Sequence, residues 1–107
     1  MMQYLYRLEP SRPEMLGSGA TMRESRILED HFEYIAELVR QGVVHLSGRT
    51  QNIDDSSFGI VILSADSEDE ARTIMSNDPA VRGGVMRARL FPYRVAIWGK
   101  PPEDPIE

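Results

Sequence analysis

Two side chains in this sequence are of types, and at spacings, that could do chemistry together. His31 lies among Ile27, Leu28, Phe32, Ile35, Leu38 and Val39, with Ile27 and Ile35 one turn to either side of it. At helical spacing these positions form one apolar stripe, so a titratable ring stands where patterning asks for a hydrocarbon. The bland alternative is a core histidine bonded to a backbone carbonyl or a water. Asp78 follows Ala71, Ile74 and Met75, the apolar face of a second helical segment, and points to the same side. It also falls at the end of that segment, where a helix dipole disfavours an anion by about 0.3–1 kcal/mol. Asn77-Asp78-Pro79 can equally be a helix stop and turn. If both helices lie side by side, the two side chains converge. A carboxylate that accepts from one imidazole nitrogen fixes the tautomer and makes the other a general base near neutral pH.

Other candidates carry less. Arg7 and Arg49, with Arg87 and Arg89 beside them in type, suit an anionic ligand, since guanidinium pairs well with carboxylate or phosphate. Surface or interface ion pairs explain them equally. His45 alternates with Val44 and Leu46, and two histidines so far apart without a carboxylate at ligand spacing make no metal site. Tyr4, Tyr6 and Tyr93 read as packing or interface residues. Ser47, Ser56 and Ser57 lack a nucleophile elbow. The glycines spell neither a phosphate loop nor a dinucleotide fingerprint, so no cofactor is expected.

Composition bounds the classes that remain. The chain has 107 residues and no cysteine, which allows one domain and removes disulfides and thiolate chemistry. Twelve basic against 17 acidic residues leave a net charge of −5. A reader of phosphate backbones normally carries a basic surplus, so nucleic acid is disfavoured as a partner. No apolar run approaches the roughly 20 residues that span a bilayer. The N-terminal residues lack the pattern of a signal peptide, and a cytoplasmic protein is the simplest expectation.

The elements that must position the pair follow from patterning. Gln3–Glu9 alternates and reads as a strand closed by Pro10 and Pro13. Thr21 and Glu24 form a capping box that opens a helix running to about Gln41, stopped by Gly42. Val43–Thr50 is a second strand, and Phe58–Leu63 a third that is apolar at nearly every position. Ser67 and Glu70 repeat the capping box, and Pro79 ends the second helix. A short loop over Ala80–Gly84 precedes a last strand from about Val85 to Trp98. Residues 1–98 make one domain, and the proline-rich residues 99–107 make a loose tail. The order βαββαβ predicts an α+β, ferredoxin-like sandwich: an antiparallel sheet with two helices on one face. The third strand needs cover on both sides, so a homodimer with sheets face to face is expected.

Several runs resemble the YCII-related (YciI-like) family: Tyr6-Arg7-Leu8-Glu9-Pro10, Asp30-His31-Phe32, Leu46-Ser47-Gly48, Phe58-Gly59-Ile60-Val61, and Asn77-Asp78-Pro79 with Gly84-Val85-Met86. The resemblance covers residues 3 to about 98. It implies a dimeric α+β barrel and a His–Asp active site, which falls on His31 and Asp78. One relative is a dehydrochlorinase of a chlorinated hydroxyquinol, and most have no assigned reaction. Arg49 departs from the pattern, standing where many relatives carry proline. The function expected is a cofactor-free lyase or isomerase acting on a small aromatic or enol-type compound. The alternative is a non-catalytic ligand-binding or accessory module.

Overall fold

Alternation along β1 (Met2–Pro10) sorts its side chains between two environments. Tyr4, Tyr6, Leu8 and Pro10 are buried, while Gln3, Leu5, Arg7 and Glu9 are half-buried. In the computed structural model, which describes residues 1–102, β1 is an inner strand of a four-stranded sheet of order β2-β3-β1-β4. Its neighbours β3 (Gly59–Ala65) and β4 (Met86–Tyr93) run antiparallel to it, and β2 (Val44–Arg49) runs antiparallel to β3. Tyr6 sits opposite Val61 on one side and Leu90 on the other, at the middle of the sheet.

Both long helices cover the face to which Tyr4, Tyr6 and Leu8 point. α1 (Met22–Arg40) opens on the expected capping box: Thr21 Oγ1 accepts from the Glu24 N–H at 3.0 Å, and Glu24 accepts from the Thr21 N–H at 2.9 Å. Arg12 then grips the same carboxylate through two nitrogens, at 2.9 and 3.1 Å. The Arg12 hydrogen bond, followed by the Thr21 N–H, holds the Glu24 carboxyl down at about 2. This clamp ties the loop after β1 to the start of α1. The helix stops because Gly42 takes a positive φ of 78°, a conformation glycine adopts without strain.

α2 (Glu68–Asn77) is capped by Ser67, whose Oγ accepts from the Glu70 N–H at 3.1 Å. The reciprocal bond reaches one residue further back than a capping box requires, from the Asp66 N–H to Glu70 at 2.7 Å. Between helices and sheet lie Ile35, Ala71 and Met75 against Tyr4, Tyr6, Leu8, Val61 and Leu63. This is the ferredoxin-like α+β arrangement that the element order predicts.

The structure differs from the sequence reading in several places. The loop expected after Pro79 is a further helical turn, α3 (Pro79–Arg82), because a proline at the first helical position has no N–H to lose. The apolar stripe of α1 is only partly seated: Ile35 is buried, but Phe32 is 70% and Val39 48% exposed, because they border a cavity between α1 and the sheet. β4 ends at Tyr93 rather than Trp98. The segment after it turns back over the strand ends, with the Val95 N–H on Gln3 Oε1 at 2.7 Å and Trp98 edge-on to His45. Finally, a bulge between Val44 and Leu46 shortens the regular part of β2. Of the proposed tail, residues 99–102 are exposed and irregular, and 103–107 lie outside the described residues.

The second face of the sheet has no helix on it. Leu5, Leu46, Ile60, Ile62 and Phe91 share it with Arg7, Arg87 and Arg89, as the register dictates. Among the described residues no helix is long and apolar enough to cross a membrane.

Candidate functional site

Asp78 is placed by the proline that follows it. The residue before a proline is disfavoured in helical conformation, so Asp78 turns extended, at φ −60° and ψ 125°, and α2 ends. The next turn begins at once, which makes Asp78 the N-cap of α3. Its Oδ1 accepts from the Ala80 N–H at 2.9 Å. Asp78 thus stands at the C-terminal end of α2, as the sequence predicts, and has a second role that the pattern does not show: it caps a helix start, where an acceptor is welcome.

The Asp78 side chain is fully buried, so each lone pair must find a donor inside the protein. Tyr6 Oη donates to Oδ2 at 2.8 Å. His31 Nδ1 lies 2.8 Å from Oδ1 and 3.0 Å from Oδ2. Burial foremost, then the charge of Asp78 and the hydrogen bond to it, push the Tyr6 phenol far above its ordinary value. The phenol therefore keeps its proton and acts as a donor. With Tyr6 and Ala80 both donating, Asp78 is an acceptor throughout, and this network assigns the neutral-ring proton to Nδ1. Nε2 is then the nitrogen left with a lone pair.

His31 also opens onto a cavity of about 790 Å3, and its side chain keeps 19% exposure there. Leu8, Met15, Leu28, Ile35, Phe58 and Met86 supply apolar wall, and Ser47, Thr50 and Ser57 lie on the β2–β3 side. That size and character match small-molecule sites, which are mostly apolar with a few placed polar groups. Among the described residues no three His, Asp or Glu side chains gather where a metal ion could sit.

Of the residues singled out by sequence, His31 and Asp78 are together, and Arg49 lines the same cavity. Arg7 does not reach it. Its place in β1 alternates with Tyr6 and Leu8, so it emerges on the other face, 4.4 Å over the Phe58 ring and 3.2 Å from Glu9. The strand period contained that correction. His45 is likewise remote, bonded to Ser64 Oγ at 2.6 Å. Sequence reasoning missed Tyr6 by treating it as packing. The available signal was its position mid-strand on the core face, where a phenol hydroxyl must find a buried partner.

A family model described as "YCII-related domain" matches residues 2–93. Among solved structures, the 5-chloro-2-hydroxyhydroquinone dehydrochlorinase from Burkholderia phenoliruptrix AC1100, in complex with 2,5-dihydroxybenzoquinone, is similar at a TM-score of 0.64. The match covers 87% of this chain and 94% of that chain at 21% sequence identity, a likeness of fold. No curated protein matches significantly.

Proposed function

The chain belongs to the YCII-related family, and from that premise we propose that it is a small acid–base enzyme of lyase or isomerase type, working without a cofactor on a small aromatic or enol-type compound. The observation that carries this reading is one contact. A fully buried carboxylate holds His31 Nδ1 at 2.8 Å while the same ring faces an apolar cavity. Such a ring takes a proton on Nε2 from an acidic O–H or C–H of the bound compound. The carboxylate fixes its orientation and offsets the positive charge that develops. Tyr6 and the Ala80 N–H in turn keep Asp78 in place. Positioned acid–base groups contribute about 10²- to 10⁴-fold to a rate.

The similar dehydrochlorinase names one reaction that this machinery suits. Nε2 removes a proton from a ring hydroxyl, and the halogen-bearing carbon gains a proton as the ring becomes a dienone. Halide then leaves with its bonding pair while a second hydroxyl gives up its proton. The net change is loss of hydrogen halide to a quinone, with no external oxidant. The test is a panel of halogenated hydroquinones and enolisable ketones, followed by halide release and absorbance. His31→Gln, whose amide can still donate to Asp78, is expected to lose at least 100-fold in rate with little change in melting temperature. An unchanged rate in that variant would overturn the assignment. Binding across the panel with no turnover in wild type would make the cavity a ligand-binding module instead.

We also propose that two copies pair through the helix-free sheet face, because Leu46 and Phe91 remain exposed beside Ile60 and Ile62. Sedimentation at micromolar concentration is expected to give about twice the chain mass of 12.1 kDa. A monomer that persists at that concentration would sink the pairing.

A further inference from the structure

We propose that the His31 cavity selects ligands with an anionic group on an apolar body, aromatic carboxylates in particular, and that Arg49 is the residue that holds the anion. The proposal rests on the cavity being the ligand site, as read above. Its ground is a charge imbalance. The chain carries 17 acidic residues against 12 basic ones, yet among the described residues no carboxylate lines this cavity, whereas Arg40, Arg49 and His31 do. Three acidic side chains of α1, Glu29, Asp30 and Glu33, line the neighbouring depression instead, and Glu37 is taken up by Arg40.

The two arginines are not equivalent. Arg40 is already paired with Glu37 at 2.8 Å. Arg49 has no carboxylate within 4.0 Å among the described residues, and its one polar contact is a long 3.4 Å bond to the Thr50 carbonyl. In register it lies opposite Gly59, which itself faces Leu8 across β1, so Arg49 shares the helix-side face with the apolar wall. Gly59 offers no side chain to crowd it; a Cβ there would stand 3.6 Å from the Arg49 Cβ. A cation with no acidic partner among the described residues, at the edge of a largely apolar cavity, pairs with a planar carboxylate through its two-pronged guanidinium. The apolar wall favours an aromatic body over an inorganic anion.

The probes are 2-naphthoate and its neutral, equally shaped amide, 2-naphthamide, titrated by calorimetry into the full chain, Arg49→Gln and His31→Gln. The expected result is at least tenfold tighter binding of the carboxylate to wild type, shrinking as salt is added. Arg49→Gln is expected to bring the ratio near one with the amide's affinity unchanged. His31→Gln is expected to keep most of the preference, which separates the arginine from the ring. Equal affinities in wild type, no binding of either probe, or a preference that survives in Arg49→Gln would each overturn the proposal. Turnover lost in His31→Gln with no carboxylate preference in wild type refutes this inference alone. A preference without turnover anywhere refutes the acid–base reading alone.

Discussion

Asp78→Asn is expected to switch the neutral His31 ring to its other tautomer and to lower turnover by about 10²- to 10⁴-fold, with the fold retained. The substitution keeps the shape of the side chain. Its Oδ1 can still accept from the Ala80 N–H, now 2.9 Å from Asp78 Oδ1. The amide nitrogen then occupies the place of Oδ2, 2.8 Å from Tyr6 Oη and 3.0 Å from His31 Nδ1, while Oδ1 stays 2.8 Å from Nδ1. An N–H on that ring nitrogen thus meets an amide hydrogen beside its acceptor. The phenol can turn and accept one amide hydrogen. Nδ1 can accept the other only by giving up its own proton, which moves to Nε2. Nε2, the ring nitrogen not bonded to residue 78, then carries a hydrogen in place of a lone pair and cannot take a proton from a substrate. Nitrogen-15 shifts of the imidazole read the tautomer directly, without knowledge of the substrate. Rates on any compound turned over by wild type read the consequence. A ring that keeps its proton on Nδ1 in the variant, or a rate within threefold of wild type, would show that the second carboxylate oxygen of Asp78 does not set the tautomer.

The two components of the pair were legible in the sequence to different degrees. His31 announces itself, because the helical period around Ile27 and Ile35 asks for an apolar residue at that position. Asp78 is harder, since a helix-stop Asn-Asp-Pro explains it without chemistry. What the local pattern lacked was Pro79 as a beginning. The same proline that ends α2 opens α3, and that double role turns the carboxylate inward to cap a buried turn. Tyr6 was invisible as a functional residue because its role exists only across 72 positions of chain, between the middle of β1 and the end of α2.

Element order was legible because the local signals agree with one another. Both Ser/Thr caps, the glycine at φ 78° after α1, and the alternation of β1 are short-range features, and each is where the pattern puts it. The apolar stripe of α1 misleads for a physical reason. Phe32 and Val39 satisfy the helical period, but the helix stands off the sheet beside them, and the space they border is the cavity itself. An amphipathic pattern records which side of a helix is apolar. It does not distinguish a side packed on a sheet from one that walls a ligand site.

Asp78→Ala is expected to be the most damaging single change for stability, by about 3–5 kcal/mol out of the roughly 5–15 kcal/mol typical of a domain. Alanine strands three donors at once: Tyr6 Oη, His31 Nδ1 and the Ala80 N–H. Each buried donor left without a partner costs about 1–3 kcal/mol. Loss of the N-cap of α3 is part of the same deficit. His31 can recover some of it, because its ring has 19% exposure and can move its proton to the wet side. Tyr6 has no exposure and cannot. The same reasoning sets the sign of His31→Leu, although leucine would complete the apolar stripe of α1. Asp78 is buried and counts His31 among its three donors, so leucine leaves the carboxylate short and costs about 1–3 kcal/mol. Tyr6→Phe, which also removes one donor, belongs in the same range, and so does Asp78→Asn, which puts a donor where the buried Tyr6 hydroxyl had its acceptor. Urea denaturation of the four variants checks the order. Wild-type stability in Asp78→Ala, or a stabilised His31→Leu, would mean that the carboxylate is not held by this network.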